Sequence, residues 1–255
     1  MYIFSRISED LQQVQLLIRK NFCFQAGHLS EFIPPSFSNL EITLRPGIVI
    51  TAGNMFGPVS ERLIALAAVM QLIFISSRIH ASVKESAAAK ERHGDNRGGF
   101  QYPILVGDYL YSKSFTMLCE YSVEAYLNEL AELICHINQS NIHDLRNAGS
   151  EITDWQQYLE IVQGETARLF ACAACLGADL NGADQQCKNK LYHFGLNFGM
   201  AFGLLDRGAT PEQVKDYLTA AEANLYELPP QIDSQCFRNL LTSLSEDSSL
   251  RRMVG

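Results

Sequence analysis

Positive charge is scarce in this sequence: 20 Lys and Arg stand against 28 Asp and Glu, a formal charge of −8. That balance speaks against a general polyanion-binding surface, duplex DNA included, and leaves room only for a local basic pocket. Long apolar runs are missing as well. The longest, Leu63 to Ile75, is broken by Gln71 and bounded by Arg62 and Arg78, whereas a bilayer asks for about 20 residues. It reads as a buried helix, and no membrane span is expected. The first 20 residues carry Arg6, Glu9 and Asp10 and no apolar stretch, so no secretory leader is visible. Also absent are a G-x-S-x-G elbow, an H-E-x-x-H helix, a phosphate-binding loop, a dinucleotide fingerprint, a 20–50-residue repeat and any low-complexity tract. The seven cysteines are an odd number lying mostly in apolar runs such as Phe170 to Leu176. That usage suits a reducing compartment, and a cytoplasmic location is expected.

What is present is a globular composition, 47% hydrophobic and 19% charged over 255 residues, enough to bury a substantial core. The eight prolines leave 104–210 without one, which invites long helices. Val123, Tyr126, Leu127, Leu130, Leu133, Ile134 and Ile137 trace one helical face. Thr153-Asp154-Trp155-Gln156 and Thr210-Pro211-Glu212-Gln213 read as capping boxes, the second with Pro at the first helical position. The helix after Thr210 is expected to stop near Leu228-Pro229-Pro230. Ile42-Thr43-Leu44 and Ile48-Val49-Ile50-Thr51 are the only strand-like pieces, and both suit a helix equally well. Lys90 to Gly99 reads as a loop between two helices. The fold class is therefore all-α, a bundle of about ten helices in one domain over 1–255.

Several segments, in order, resemble the trans-isoprenyl diphosphate synthase (polyprenyl synthetase) family. Ala68 to His80 is similar to that family's helix E-L-I-H-T-A-S-L-I-H, which runs on into D-D-x-x-D. Val106-Gly107-Asp108-Tyr109-Leu110 is similar to its A-G-D-Y-L. Leu44-Arg45-Pro46 matches the end of G-K-R-x-R-P, Glu165-Thr166 its K-T, Gly195 to Phe202 its G-x-x-x-G-x-A-F-Q, and Tyr217 to Pro229 its closing L-P helix. The resemblance implies an isoprenoid-synthase-type helical bundle, normally dimeric. Its cavity condenses an allylic diphosphate with isopentenyl diphosphate, using two Asp-rich motifs that hold Mg²⁺ and basic side chains that grip phosphate.

The residues that would carry this chemistry depart from the pattern. The first motif reads Ala81-Ser82-Val83-Lys84-Glu85 and the second Asp206-Arg207-Gly208-Ala209-Thr210, so Glu85 and Asp206 are the remaining candidate metal ligands. Glu41-Ile42 replaces Gly-Lys, Phe74 the His of E-L-I-H, Glu165 the Lys of K-T, and Gly203 the Gln of A-F-Q. Arg45 is kept. With His80, Lys90 and Arg92 it makes up the relic substrate-binding set; no catalytic residue is assigned. Replacing Lys by Glu shifts local charge by two units, which is expected to repel diphosphate. After residue 210 the chain enters its last helices almost at once, so the domain is shortened there and a lid over the cavity is expected to be missing.

Plainer roles stand beside these. His80 ends an apolar helix and reads as a packed histidine, Cys172 and Cys175 as core thiols, Asp108 as a structural acid, and Glu85 and Asp206 as solvated acids unless the cavity joins them. The reading that follows is a catalytically deficient regulatory subunit of a heteromeric prenyl diphosphate synthase, with no cofactor expected. Its partner would be a catalytic subunit or a second copy, docked on the apolar face from Ile104 to Ile137, with an isoprenoid diphosphate as candidate ligand and no nucleic acid. Two alternatives are an active prenyltransferase with a relaxed Mg site and a non-catalytic prenyl-chain-binding protein.

Overall fold

The computed structural model describes residues 3–21, 23–24, 27–28, 38–90, 101–147 and 155–246. Within them the chain is helical almost throughout: α1 (Ser8–Asn21), α2 (Asn39–Asn54), α3 (Glu61–Lys90), α4 (Gln101–Glu120), α5 (Leu127–Asn147), α6 (Trp155–Val162), α7 (Arg168–Leu180), α8 (Gln185–Asp206), α9 (Pro211–Tyr226) and α10 (Gln235–Glu246). A π-helical turn, Gln163–Ala167, joins α6 and α7 into one continuous rod. The only paired strands among the described residues are two residues each, Cys23–Phe24 against Gly27–His28. Both strand-like pieces lie inside α2, and the all-α expectation holds.

Local chemistry sets the helix boundaries. Ser38 caps α2 with its hydroxyl on the Glu41 amide, and Glu41 reaches back to the Ser38 amide. Asp184 caps α8, and Thr210 caps α9 in the expected box with Pro211 at the first turn. Of the Thr153 box, Thr153 and Asp154 lie outside the described residues, as does nearly all of the Lys90 to Gly99 loop, and α6 begins at Trp155. The face read from Val123 begins as a 3-10 turn, Glu124–Tyr126, and becomes α5 only at Leu127.

α3 is apolar on all sides because it is surrounded: over Glu61–Ser82, 89% of its most apolar window is buried by neighbouring helices. It packs against α2 and α4, α7 packs against both α2 and α8, and α9 covers α8. The α2–α7 contact is close enough that a side chain at Gly177 would meet the Val49 carbonyl oxygen at 2.3 Å. Phe170 anchors the core edge-on to Phe198 and Phe202, at 5.2 and 5.4 Å between ring centres. At the end of α8 the Gly208 and Ala209 amides bond back to the Leu205 and Leu204 carbonyls, and Gly208 takes φ 89°. That left-handed turn feeds the chain into α9 within four residues.

Candidate functional site

Four helices and the π-helical turn enclose a cavity of about 230 Å³. Helical spacing explains which side chains reach it. α3 contributes Phe74, Ser77, Arg78 and Ala81, steps of three and four on one face, and α5 contributes Ile137, Asn141 and Asp144 in the same way. Glu41 and Arg45 lie one turn apart on α2, as do Phe202 and Asp206 on α8. The wider π turn brings in Glu165 and Thr166, and Arg207 closes the end of α8.

Arg45 forms part of the lining but is only 3% exposed. Its guanidinium lies 3.4 Å from the centre of the Phe74 ring and 4.9 Å from that of Phe170. One terminal nitrogen reaches the Glu41 carbonyl at 3.5 Å, and the buried Nε has no hydrogen-bond partner among the described residues. Burial pushes the guanidinium down to about 9, with Glu41 and Asp206 opposing the shift and Arg78 adding to it. It remains cationic at neutral pH. Phe74, standing where a histidine was expected, therefore supplies an aromatic face to a buried cation.

Glu165 and Arg207 form an ion pair whose side chains are 16% and 29% exposed. Asp206 is exposed at the rim, yet partial burial raises its carboxyl above the ordinary range despite the nearby charges of Arg78, Arg45 and Arg207. Glu41 is committed to the start of α2, its Oε2 accepting from the Ser38 amide at 2.9 Å and the Ser38 hydroxyl at 3.1 Å.

A profile of the family described as polyprenyl synthetase matches residues 42–207. The chain belongs to the polyprenyl synthetase family. Among its relatives, a geranylgeranyl diphosphate synthase of Saccharolobus solfataricus is 26% identical over 228 residues, covering 78% of this chain and 65% of that protein. Heptaprenyl diphosphate synthase component 2 of Geobacillus stearothermophilus is 25% identical over 218 residues, 83% of this chain and 68% of the relative. The first of these covers just under two thirds of the relative's length, and an octaprenyl diphosphate synthase of Escherichia coli is matched over only 51% of its own. Two solved structures share the fold. A Caulobacter crescentus polyprenyl synthase complexed with calcium and isoprenyl diphosphate aligns with TM-score 0.79 and 21% identity over 99% of this chain and 96% of its own. The geranyl diphosphate synthase small subunit of Antirrhinum majus aligns with TM-score 0.71 and 17% identity over 94% and 97%.

Set against the pattern of polyprenyl synthetases, two of the cavity's changes are linked. The expected Lys at 165 and Asp at 207 are here Glu165 and Arg207, and the two touch. The repulsion expected of Glu165 is thus offset by a base 42 residues away in sequence. The register that puts the first motif at Ala81 puts its leucine at Arg78, a gained cation that motif reading missed. Its i+4 relation to Phe74 is the signal that would have found it. His80 lies outside the cavity, stacked on Tyr111 with 5.6 Å between ring centres and its Nε2 3.3 Å from the Asp108 carboxylate. Burial lowers its pKa and Asp108 only partly restores it. Glu85 and Lys90 fall on the last turns of α3, where only the backbone is described, and Arg92 lies outside the described residues. Burial pushes the Cys172 and Cys175 thiols up to about 12 and about 11, as befits protonated core thiols.

Polyprenyl synthetases usually use Mg²⁺, an ion captured through carboxylate oxygens. Among the described residues no three His, Cys, Asp or Glu side chains gather closely enough to hold a metal. At the cavity Arg78 and Arg207 stand beside Asp206, and two of the other acids there are engaged, Glu41 at the start of α2 and Glu165 with Arg207. Among the described side chains, this donor set does not fit the ion.

Proposed function

We propose that this protein is a non-catalytic member of the polyprenyl synthetase family that acts as one subunit of a heteromeric prenyl diphosphate synthase, taking a second copy when its partner is absent. The observation that carries the reading is the composition of the cavity wall: guanidinium groups at 78 and 207 line it beside Asp206, and Glu41 and Glu165 are bonded elsewhere. Ionising an allylic diphosphate needs concentrated positive charge on the leaving group, and a site that cannot gather metal ions supplies little of it. The heptaprenyl component 2 and the geranyl small subunit, both named as parts of larger enzymes, support an assembly role. So do Ile104, Leu105 and Leu127, which are 41%, 64% and 47% exposed along α4 and the start of α5. Burial of such a face is the usual basis of a stable subunit interface.

The test is turnover of isopentenyl diphosphate with geranyl or farnesyl diphosphate in Mg²⁺, together with sedimentation at micromolar concentration. No product from the isolated chain, a dimer in sedimentation, and a stable complex with a synthase carrying both Asp-rich motifs are expected. Turnover abolished by Asp206→Ala would overturn the non-catalytic reading and establish an active enzyme. A 28.5 kDa monomer that ignores every such synthase would overturn the subunit reading.

A further inference from the structure

A cavity that has lost its metal ligands keeps more cationic donors than its own acids engage. Arg207 is committed to Glu165. Arg45 is held by two aromatic rings, with a buried Nε still unpartnered among the described residues. Arg78 is exposed at the cavity and makes no hydrogen bond or ion pair with another described residue. Asn141 adds an amide from α5. Of the four acids at the cavity, Glu41 is bonded to the start of its own helix, Glu165 is paired with Arg207, Asp144 has an interaction of its own, and Asp206 stands at the exposed rim.

We infer that Arg78 stands in for the metal, so that the cavity binds a phosphate-type oxyanion directly, without a divalent ion. Arg78 and the Arg45 Nε supply charge-assisted hydrogen bonds. The fixed Phe74 and Phe170 rings keep the Arg45 guanidinium in place before a ligand arrives, so little side-chain freedom is lost on binding. Asp206 and Asp144 at the same cavity disfavour a highly charged ligand, which points to an inorganic phosphate or a phosphate monoester rather than a metal-diphosphate complex. The inference rests on the non-catalytic reading, and deepens it by giving the remodelled cavity a ligand class.

The experiment is thermal denaturation and titration calorimetry of the full chain with inorganic phosphate, in EDTA and in Mg²⁺. Stabilisation by phosphate in EDTA is expected, with no gain from Mg²⁺. Arg78→Leu, which places the family's own residue there, should weaken binding about ten- to a hundredfold, as loss of a charged hydrogen bond does. Arg78→Lys should keep part of it. Asp206→Asn separates the two chemistries: it strengthens a metal-free oxyanion site and weakens a metal-mediated one. Binding that requires Mg²⁺, binding unchanged in Arg78→Leu, or no binding at millimolar phosphate would each overturn the inference. None of these touches the non-catalytic reading, which falls only with turnover.

Discussion

The Glu165–Arg207 pair invites a reversal of its polarity. Glu165→Lys and Arg207→Asp together restore the residues of the family pattern, while either change alone sets like charges against each other. Two unit charges about 4 Å apart interact by about 4 kcal/mol at an effective dielectric of about 20. With side chains 16% and 29% exposed, the pair lies well inside the surface regime but is not fully dry. Desolvation and side-chain ordering offset much of the attraction, leaving a coupling of about 1–3 kcal/mol. Each single variant should therefore lose about 2 kcal/mol, which for a chain of this size is about 4–8 °C in Tm. The double variant should recover most of that loss. A deficit of about 0.5 kcal/mol should remain, because Arg207 sits at the C-terminal end of α8, where the helix dipole favours a cation and opposes an aspartate. Urea and thermal denaturation of the four proteins yield the coupling energy directly. Additive single losses, or a double variant less stable than either single, would show that the two residues do not act as one pair.

Three further outcomes are expected. Phe74→His should lower stability by about 1 kcal/mol in thermal denaturation, because the ring whose centre lies 3.4 Å from the Arg45 guanidinium is lost and the buried cation is left poorly served. Asp206→Asn should raise Tm at pH 7. Burial raises this carboxyl in the folded state, so its ionised form opposes folding above the raised value, and the variant's advantage should fade as pH falls through that value toward the ordinary Asp range. Gly177→Ala should cost about 2 kcal/mol or more in urea denaturation, since its methyl group would meet the backbone of α2 at 2.3 Å and the helices must separate to admit it.

The fold was legible wherever one helix face or one cap carried the information. The buried run from Leu63 to Ile75 marks α3, the proline-free span marks the long helices, and Thr210-Pro211 marks the start of α9. The two β-branched pieces in α2 were ambiguous because a helix enclosed on every side shows no polar face to set its period. At the cavity, the motif pattern marks the substitutions at 74, 165 and 207 but not Arg78, and it says nothing of what the substituted side chains touch. Glu165 meets Arg207 through the docking of the π turn on α8, and Phe74 meets Arg45 through the packing of α3 on α2. Motif spacing records neither contact. Arg78 lies at a position the family pattern fills with leucine, so only its place on one helix face with Phe74 and Ala81 marks it as part of the site.

Those contacts bear on how the loss of metal ligands is to be understood. A cavity wall that had merely decayed would be left with buried charges lacking partners, and removing one member of a buried pair costs about 3–5 kcal/mol. Here the charge reversals at 165 and 207 compensate each other, and the aromatic at 74 covers the buried cation at 45. The substitutions in the wall therefore keep the helices docked. The same compensation sets an energetic cost on single carboxylate replacements in the wall. Arg207→Asp without a change at 165 would put two acids in contact, and Ala81→Asp would face Arg78 across one turn of α3 before it met any metal ion.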